Sequence, residues 1–328
     1  MISIGKFRHL TQCATRDGHF MVLAIDHRAN LRDALSAARG VPVDDREVGE
    51  FKRDVIQALG DQCSGILGDP SLVVGQGIAS GMLSSTPGLI APLEVTNYQQ
   101  HPSEREIQFI PDWNVEKAKR AGLSGIKLLI YFHPLAGTAG ERLRLISLLA
   151  GVCSRFDLPL FLEPILFDLP GEDGHDLKVR LRHTVSMLRA MVDCGVDILK
   201  IEFPVRDNSD NSLWQWDDAL GIVNEACGEI PWVLLSGGVD SATFKQQVSA
   251  ACQAGCSGIM VGRALWNPAV KAVGQDGRIR VLHGKARSDL SELAAIVKQH
   301  GVPFWDRTGR PNGDTDWFRD YPGFVGGK

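Results

Sequence analysis

Short apolar runs alternate with longer amphipathic segments along most of the chain. The runs are Met21–Ile25, Gly65–Leu67, Gly88–Val95, Gly125–Phe132, Pro159–Leu166, Ile198–Val205, Trp232–Leu235 and Gly258–Val261. They are too short for helices and are bounded by Gly or Pro, so they predict eight strands. Between them, Glu47–Leu59, Val115–Ala121, Glu141–Cys153, Asp176–Asp193, Asp217–Cys227 and Ser241–Ala254 carry apolar residues at helical spacing. Three of these helices end alike, at Ala121-Gly122, Cys194-Gly195 and Ala254-Gly255. Glycine just past a helix accepts the left-handed turn that stops it. Strand, helix, strand, repeated, makes parallel βα units.

The spacing predicts one closed array. Lys127, Glu163, Lys200 and Ser236 mark successive strands at intervals of about 36 residues, which suits one strand, one helix and two loops. Eight such units fit an α/β fold of the (β/α)8 TIM-barrel type, in a single domain over residues 1–328 with its core over about 20–275. A doubly wound sheet is the alternative. It normally shows a Gly-rich phosphate loop after an early strand. Here the first strand ends Ala24-Ile25-Asp26-His27-Arg28 instead. A helix over Asp289–Gln299 leads into an aromatic and Gly-rich tail, the two together spanning about 286–328. The sequence leaves the tail free to pack on the barrel, cover a rim or join subunits.

Three strands break the apolar pattern. Side chains on a barrel strand alternate between the helices and the interior. Lys127, Leu129 and Tyr131 share one side of the fourth strand, Phe161 and Glu163 one side of the fifth, and Lys200 and Glu202 one side of the sixth. If Leu199, Ile201 and Phe203 face the helices, Lys200 and Glu202 point inward. Neighbouring strands lie about 4.8 Å apart, so Lys127 and Lys200 flank Glu163 within reach. Buried charges need a partner or a purpose. One reading is a structural ion network. The other is a Schiff-base lysine with an acid/base carboxylate, in which a second cation and burial favour the neutral, nucleophilic amine. The pattern does not choose between the two lysines.

The last two strands carry a different signal. The seventh ends Leu235-Ser236-Gly237-Gly238 and the eighth Val261-Gly262-Arg263. Barrels often hold phosphate on the loops after these strands. Glycines let backbone N–H groups approach an anion, Ser236 adds a hydroxyl, and Arg263 forks onto phosphate oxygens. Asp26, at the end of the first strand, either binds substrate hydroxyls, pairs with Arg28 or caps a turn; Asp69 has the same ambiguity. His27 and His133 also sit at strand ends. Without HxH or HExxH spacing they read as polar groups, and no metal or cofactor is expected.

Composition narrows the class. Hydrophobic residues make up 44% of the 328 positions and charged ones 23%, which excludes a disordered chain. The net charge of -4 offers no basic surface for nucleic acid or membrane. Seven cysteines without a CxxC pair read as buried thiols in a reducing compartment. No apolar run approaches the ~20 residues of a membrane helix, and no signal core precedes Phe20, so a cytoplasmic protein is expected. A homo-oligomer is compatible with the sequence.

Six motifs carry a resemblance: Ala24-Ile25-Asp26-His27-Arg28, Gly125-Ile126-Lys127-Leu128-Leu129-Ile130-Tyr131, Leu162-Glu163-Pro164, Asp197-Ile198-Leu199-Lys200-Ile201-Glu202-Phe203-Pro204-Val205, Leu235-Ser236-Gly237-Gly238-Val239 and Gly262-Arg263-Ala264-Leu265-Trp266. In that order, from Met21 to Trp266, the chain resembles the class I tagatose-1,6-bisphosphate aldolases and the related sulfofructose-phosphate aldolases. The resemblance implies a metal-free barrel that cleaves a phosphorylated ketose to dihydroxyacetone phosphate and an aldehyde through a Schiff base. It implies Lys200 as the Schiff-base lysine, Glu163 as acid/base, Lys127 as the assisting lysine and Asp26 as a substrate contact. Ser236, Gly262 and Arg263 match the region holding the dihydroxyacetone phosphate end. His27 stands where the family usually has Gln, and Gly237 where Ala is usual. The alternatives are a Schiff-base lyase of the deoxyribose-phosphate aldolase or transaldolase type, and a sugar-phosphate-sensing regulator with an aldolase fold.

Overall fold

The computed structural model describes residues 2–83, 87–95, 100–205, 213–319 and 321–323. All eight expected strands form: β1 (Phe20–Ile25), β2 (Gly65–Gly68), β3 (Gly88–Pro92), β4 (Gly125–Phe132), β5 (Leu160–Leu166), β6 (Ile198–Ile201), β7 (Trp232–Leu235) and β8 (Gly258–Val261). Each pairs in parallel with its sequence neighbours, and β1 pairs with β8 through Phe20↔Gly258 to Leu23↔Val261, closing the barrel. That closure removes the doubly wound alternative.

The helices are α1 (Ile4–Cys13), α2 (Ala29–Arg39), α3 (Asp45–Leu59), α4 (Gly75–Ala79), α5 (Val115–Arg120), α6 (Ala139–Arg155), α7 (Leu177–Val192), α8 (Leu213–Ala226), α9 (Ser241–Gln253), α10 (Arg263–Val270), α11 (Gly274–Val281) and α12 (Arg287–His300), with a last turn at Trp305–Thr308. Alternation sorts the strand residues as the pattern predicts. Ile126, Leu128, Ile130, Leu199, Ile201 and Phe203 join the layer between strands and helices. Phe161, Ile198, Val233 and Met260 fill the interior. This apolar packing lies beneath the charged residues and keeps water from reaching them from below.

Two runs differ from expectation. Gly88–Val95 is not one strand: β3 ends at Pro92, and Glu94–Val95 forms a small antiparallel pair with Gln108–Phe109. Ile198–Val205 stops as a strand at Ile201. Glu202 lies just past the strand's end, and its carboxylate is 3.4 Å from Arg180 of α7. Apolar residues beyond Ile201 had extended the expected strand without a ladder partner to hold it.

The polar-looking N-terminus forms α1, which packs Leu10 and Cys13 into the barrel floor beside Phe304. Phe304 reaches both Phe20 and Phe7, with ring centroids 5.4 and 5.5 Å away. The final residues of the tail, 324–328, lie outside the described residues. All seven cysteines are free thiols, and all but Cys63 are buried. No helix among the described residues is long and apolar enough to cross a membrane.

Candidate active site

The register sets the charged residues side by side. Leu162 pairs with Leu199, which brings Glu163 level with Lys200 across β5 and β6. Lys200 Nζ donates to Glu163 Oε2 at 2.8 Å. Lys127 Nζ reaches Glu163 Oε2 at 3.1 Å, Asp26 Oδ2 at 3.3 Å and Glu94 Oε1 at 2.7 Å. All of these side chains but that of Asp26 are more than nine-tenths buried. They line an open-topped cavity of about 150 Å³ at the carboxyl ends of the strands, together with His27, Arg28 and Leu129.

The two lysines are held differently. Burial works against charge on Lys127, but Glu163, Glu94 and Asp26 more than offset it and lift its pKa well above the ordinary lysine value. Lys127 is thus a fixed cation. Among the described residues, Lys200 has a single carboxylate contact, to Glu163. Burial would also raise the Glu163 carboxyl, yet Lys127 and Lys200 outweigh it and keep the group ionised. Asp26 follows the same logic: burial raises it, and Lys127, His27 and Lys200 together hold it below the usual carboxylate range. Glu94 goes the other way, because its burial exceeds the attraction of Lys127.

His27 stands between this cluster and the neighbouring strand ends. Its ring meets Trp266 edge-on at 5.0 Å, and Nδ1 lies 3.7 Å from Asp26 Oδ1. Burial depresses its pKa to about 4; Arg263 and Lys200 add to this while Asp26 and Glu163 oppose it. The imidazole is therefore neutral at pH 7.

The ends of β7 and β8 form one corner. Gly237 and Gly238 have φ of +56° and +92°, a left-handed pair that other residues rarely adopt. A Cβ on Gly238 would sit 3.2 Å from the Arg263 guanidinium carbon, so the arginine packs over the glycine backbone. Gly262 has equally little room: a Cβ there would lie 2.9 Å from the Ala24 carbonyl oxygen. Arg263 opens α10, whose first turn has no side-chain cap; the Leu265 N–H turns back to the Gly262 carbonyl, and the N–H groups of Arg263 and Ala264 are the ones placed to meet an anion. Ser236 is buried just below, and Arg263 is exposed above.

Asp26 and His27 thus lie with the lysines, and Ser236, Gly237, Gly238, Gly262 and Arg263 gather at the adjoining rim. Asp69 does not join them. It caps the turn after β2 through the N–H groups of Ser71 and Leu72 and forms a fully buried ion pair with Lys52 of α3. Arg28 donates to the Glu94 carbonyl rather than to Asp26. His133 is buried against Glu172 and His183, away from the cavity. Glu94 was missed by sequence reasoning; its charge inside the run Gly88–Val95 was the signal.

Comparison with known proteins agrees with this geometry. The chain is 27% identical to tagatose 1,6-diphosphate aldolase 1 of Enterococcus faecalis over 325 residues, covering 93% of this chain and 98% of that protein. It is 26% identical to the tagatose 1,6-diphosphate aldolase of Listeria monocytogenes, covering 94% and 96%. Among solved structures, a Schiff-base-forming fructose-1,6-bisphosphate aldolase superposes with a TM-score of 0.61 at 19% identity, over 89% of this chain and 99% of that one. The DeoC/LacD family aldolase signature matches residues 20–268. A match that starts at the first residue of β1 and runs past the end of the last barrel strand places this chain in the DeoC/LacD aldolase family: it is an enzyme, an aldehyde-lyase.

Proposed function

We propose that this enzyme cleaves a ketose 1-phosphate or 1,6-bisphosphate to dihydroxyacetone phosphate and an aldehyde, with Lys200 as the Schiff-base lysine. One observation carries the assignment. Lys127 is gripped by three carboxylates that favour its cationic form, whereas the one ion pair that Lys200 makes among the described residues is to Glu163. The relatives named as tagatose 1,6-diphosphate aldolases support the substrate class.

The chemistry follows from these positions. The Lys200 amine attacks the ketose carbonyl carbon, and loss of water leaves an iminium. Glu163 takes the proton of the C4 hydroxyl, the C3–C4 bond breaks, and its electrons move into the iminium to give an enamine. The aldehyde leaves. Protonation at C3 and hydrolysis then release dihydroxyacetone phosphate and restore the amine. Lys127 stabilises the negative charge that develops beside Glu163. The corner formed by Ser236, Gly237, Gly238, Gly262 and Arg263 holds the phosphate on C1, with Asp26 and neutral His27 on the sugar hydroxyls.

Borohydride reduction in the presence of dihydroxyacetone phosphate tests this reading. One covalent adduct per chain should form, and peptide mapping should place it on Lys200. No adduct, with turnover intact, would sink the mechanism. A panel of tagatose, fructose and sulfofructose phosphates, read as dihydroxyacetone phosphate release, then ranks substrates; release of acetaldehyde from deoxyribose 5-phosphate instead would favour the other lyase type.

A further inference from the structure

We infer that His133, Glu172 and His183 form a binding site for a transition-metal ion of the Zn²⁺ type, apart from the lysine cavity. The residues come from the end of β4, the loop between β5 and α7, and α7 itself. One donor atom from each lies within 4.8 Å of the others. His133 Nε2 is 3.1 Å from Glu172 Oε2, and His183 Nε2 is 3.2 Å from Glu172 Oε1. Tetrahedral zinc with bonds of ~2.0–2.2 Å sets its donors ~3.4 Å apart, and each imidazole already lies near that distance from one of the two Glu172 oxygens. Two imidazoles and one carboxylate suit zinc better than Mg²⁺ or Ca²⁺, which prefer all-oxygen shells.

A second observation points the same way. His133 is 1% exposed, and its Nε2 makes no properly directed hydrogen bond. A buried ring nitrogen aimed at a carboxylate without a good bond asks for another occupant. Asp168 adds negative potential nearby. Glu172 and His183 are partly exposed, which gives an ion a way in.

One contact opposes metal and supplies a signature. The Leu135 N–H donates to His133 Nδ1 at 3.2 Å, which places the ring proton on Nε2 in the metal-free form. Zinc on Nε2 moves that proton to Nδ1 and ends the Leu135 contact, with no net proton released. The bound ion would tie the loop after β5 to the end of β4, the strands that carry Glu163 and Lys127.

The test uses the full-length protein stripped by chelator and then given Zn²⁺ alone. Metal analysis should show one equivalent retained, thermal unfolding should shift upward by several degrees, and the histidine nitrogen spectrum should show one ring changing tautomer. His183→Ala and Glu172→Gln should each weaken binding by about 100-fold, since even indirect partners of a metal site are worth ~10–100-fold. Glu172→Gln is isosteric and keeps the test valid should His183→Ala unfold. Absence of zinc from the wild-type protein overturns the proposal. So does equal binding by wild type and both variants, which would place the ion on cysteines or other histidines.

Discussion

Lys127 and Lys200 converge on a single atom: Oε2 of Glu163 lies 3.1 Å from one amine and 2.8 Å from the other. Two ammonium groups sharing one carboxylate oxygen repel each other, so the carboxylates around the pair matter. Among the described residues, Asp26 and Glu94 make their lysine ion pairs with Lys127 and not with Lys200. The asymmetry between the two lysines is built by residues outside the pair.

Lys200→Met should abolish both borohydride trapping and turnover while leaving the fold intact, because Met keeps most of the buried stem and drops the charge. Lys127→Met should still trap an adduct but turn over about 100-fold more slowly, as for loss of an electrostatic stabiliser. Circular dichroism checks folding, and mapping the adduct to Lys127 would reverse the two roles.

Arg263→Ala should lower kcat/KM for phosphorylated substrates by about 1.5–3 kcal/mol, the worth of a charge-assisted hydrogen bond. The arginine is exposed at the rim, so the effect belongs at the lower end of that range. Steady-state kinetics with a phosphorylated and an unphosphorylated ketose separate this from a general defect; equal losses on both would move the phosphate elsewhere.

Acid should destabilise the enzyme through His27. Its ring is held at about 4 in the folded chain against 6.5 for an ordinary histidine. As the pH falls through that window, the unfolded chain takes up a proton that the folded chain refuses, so stability drops by up to about 3 kcal/mol. Glu163 and Asp26, whose pKa values are lowered, add losses in the same direction at lower pH. His27→Gln should flatten the loss, measured as urea midpoints across the window; parallel curves would remove His27 as the cause.

Exhaustive chelation should leave turnover unchanged, because the iminium on Lys200 serves as the electron sink that a metal supplies in other aldolases. The same treatment should lower the unfolding temperature if zinc occupies His133, Glu172 and His183. Activity lost on chelation and restored by zinc would contradict the Schiff-base reading.

The clustering of Lys127, Glu163 and Lys200 was legible because strand parity is a strong constraint: each interrupts an apolar strand at an interior position. Ser236, Gly237, Gly238, Gly262 and Arg263 were legible from the loops that follow the last two strands. The length of β6 was overestimated because Phe203 and Val205 continue the apolar pattern past the point where the strand has a ladder partner. Glu94 was missed because the barrel strand ends at Pro92, inside the run Gly88–Val95, so parity counted along a single strand does not place it. The grouping of His133 with Glu172 and His183 had no local signal at all. A strand end, a loop and a helix bring these residues together, and no sequence period links them.

The β1–β8 seam has a consequence for how the chain is made. During synthesis β1 emerges early, yet one of its edges has no partner until Gly258–Val261 appears. The floor stays incomplete for longer, since Phe304 packs against Phe20 and Phe7. For most of translation the nascent barrel therefore presents an open strand edge and an unsealed apolar lumen, both of which invite association with other chains. A ribosome that stalls after β7 leaves the strand edge and the lumen open, and the segment from β8 to Phe304 is the one that ends the exposure.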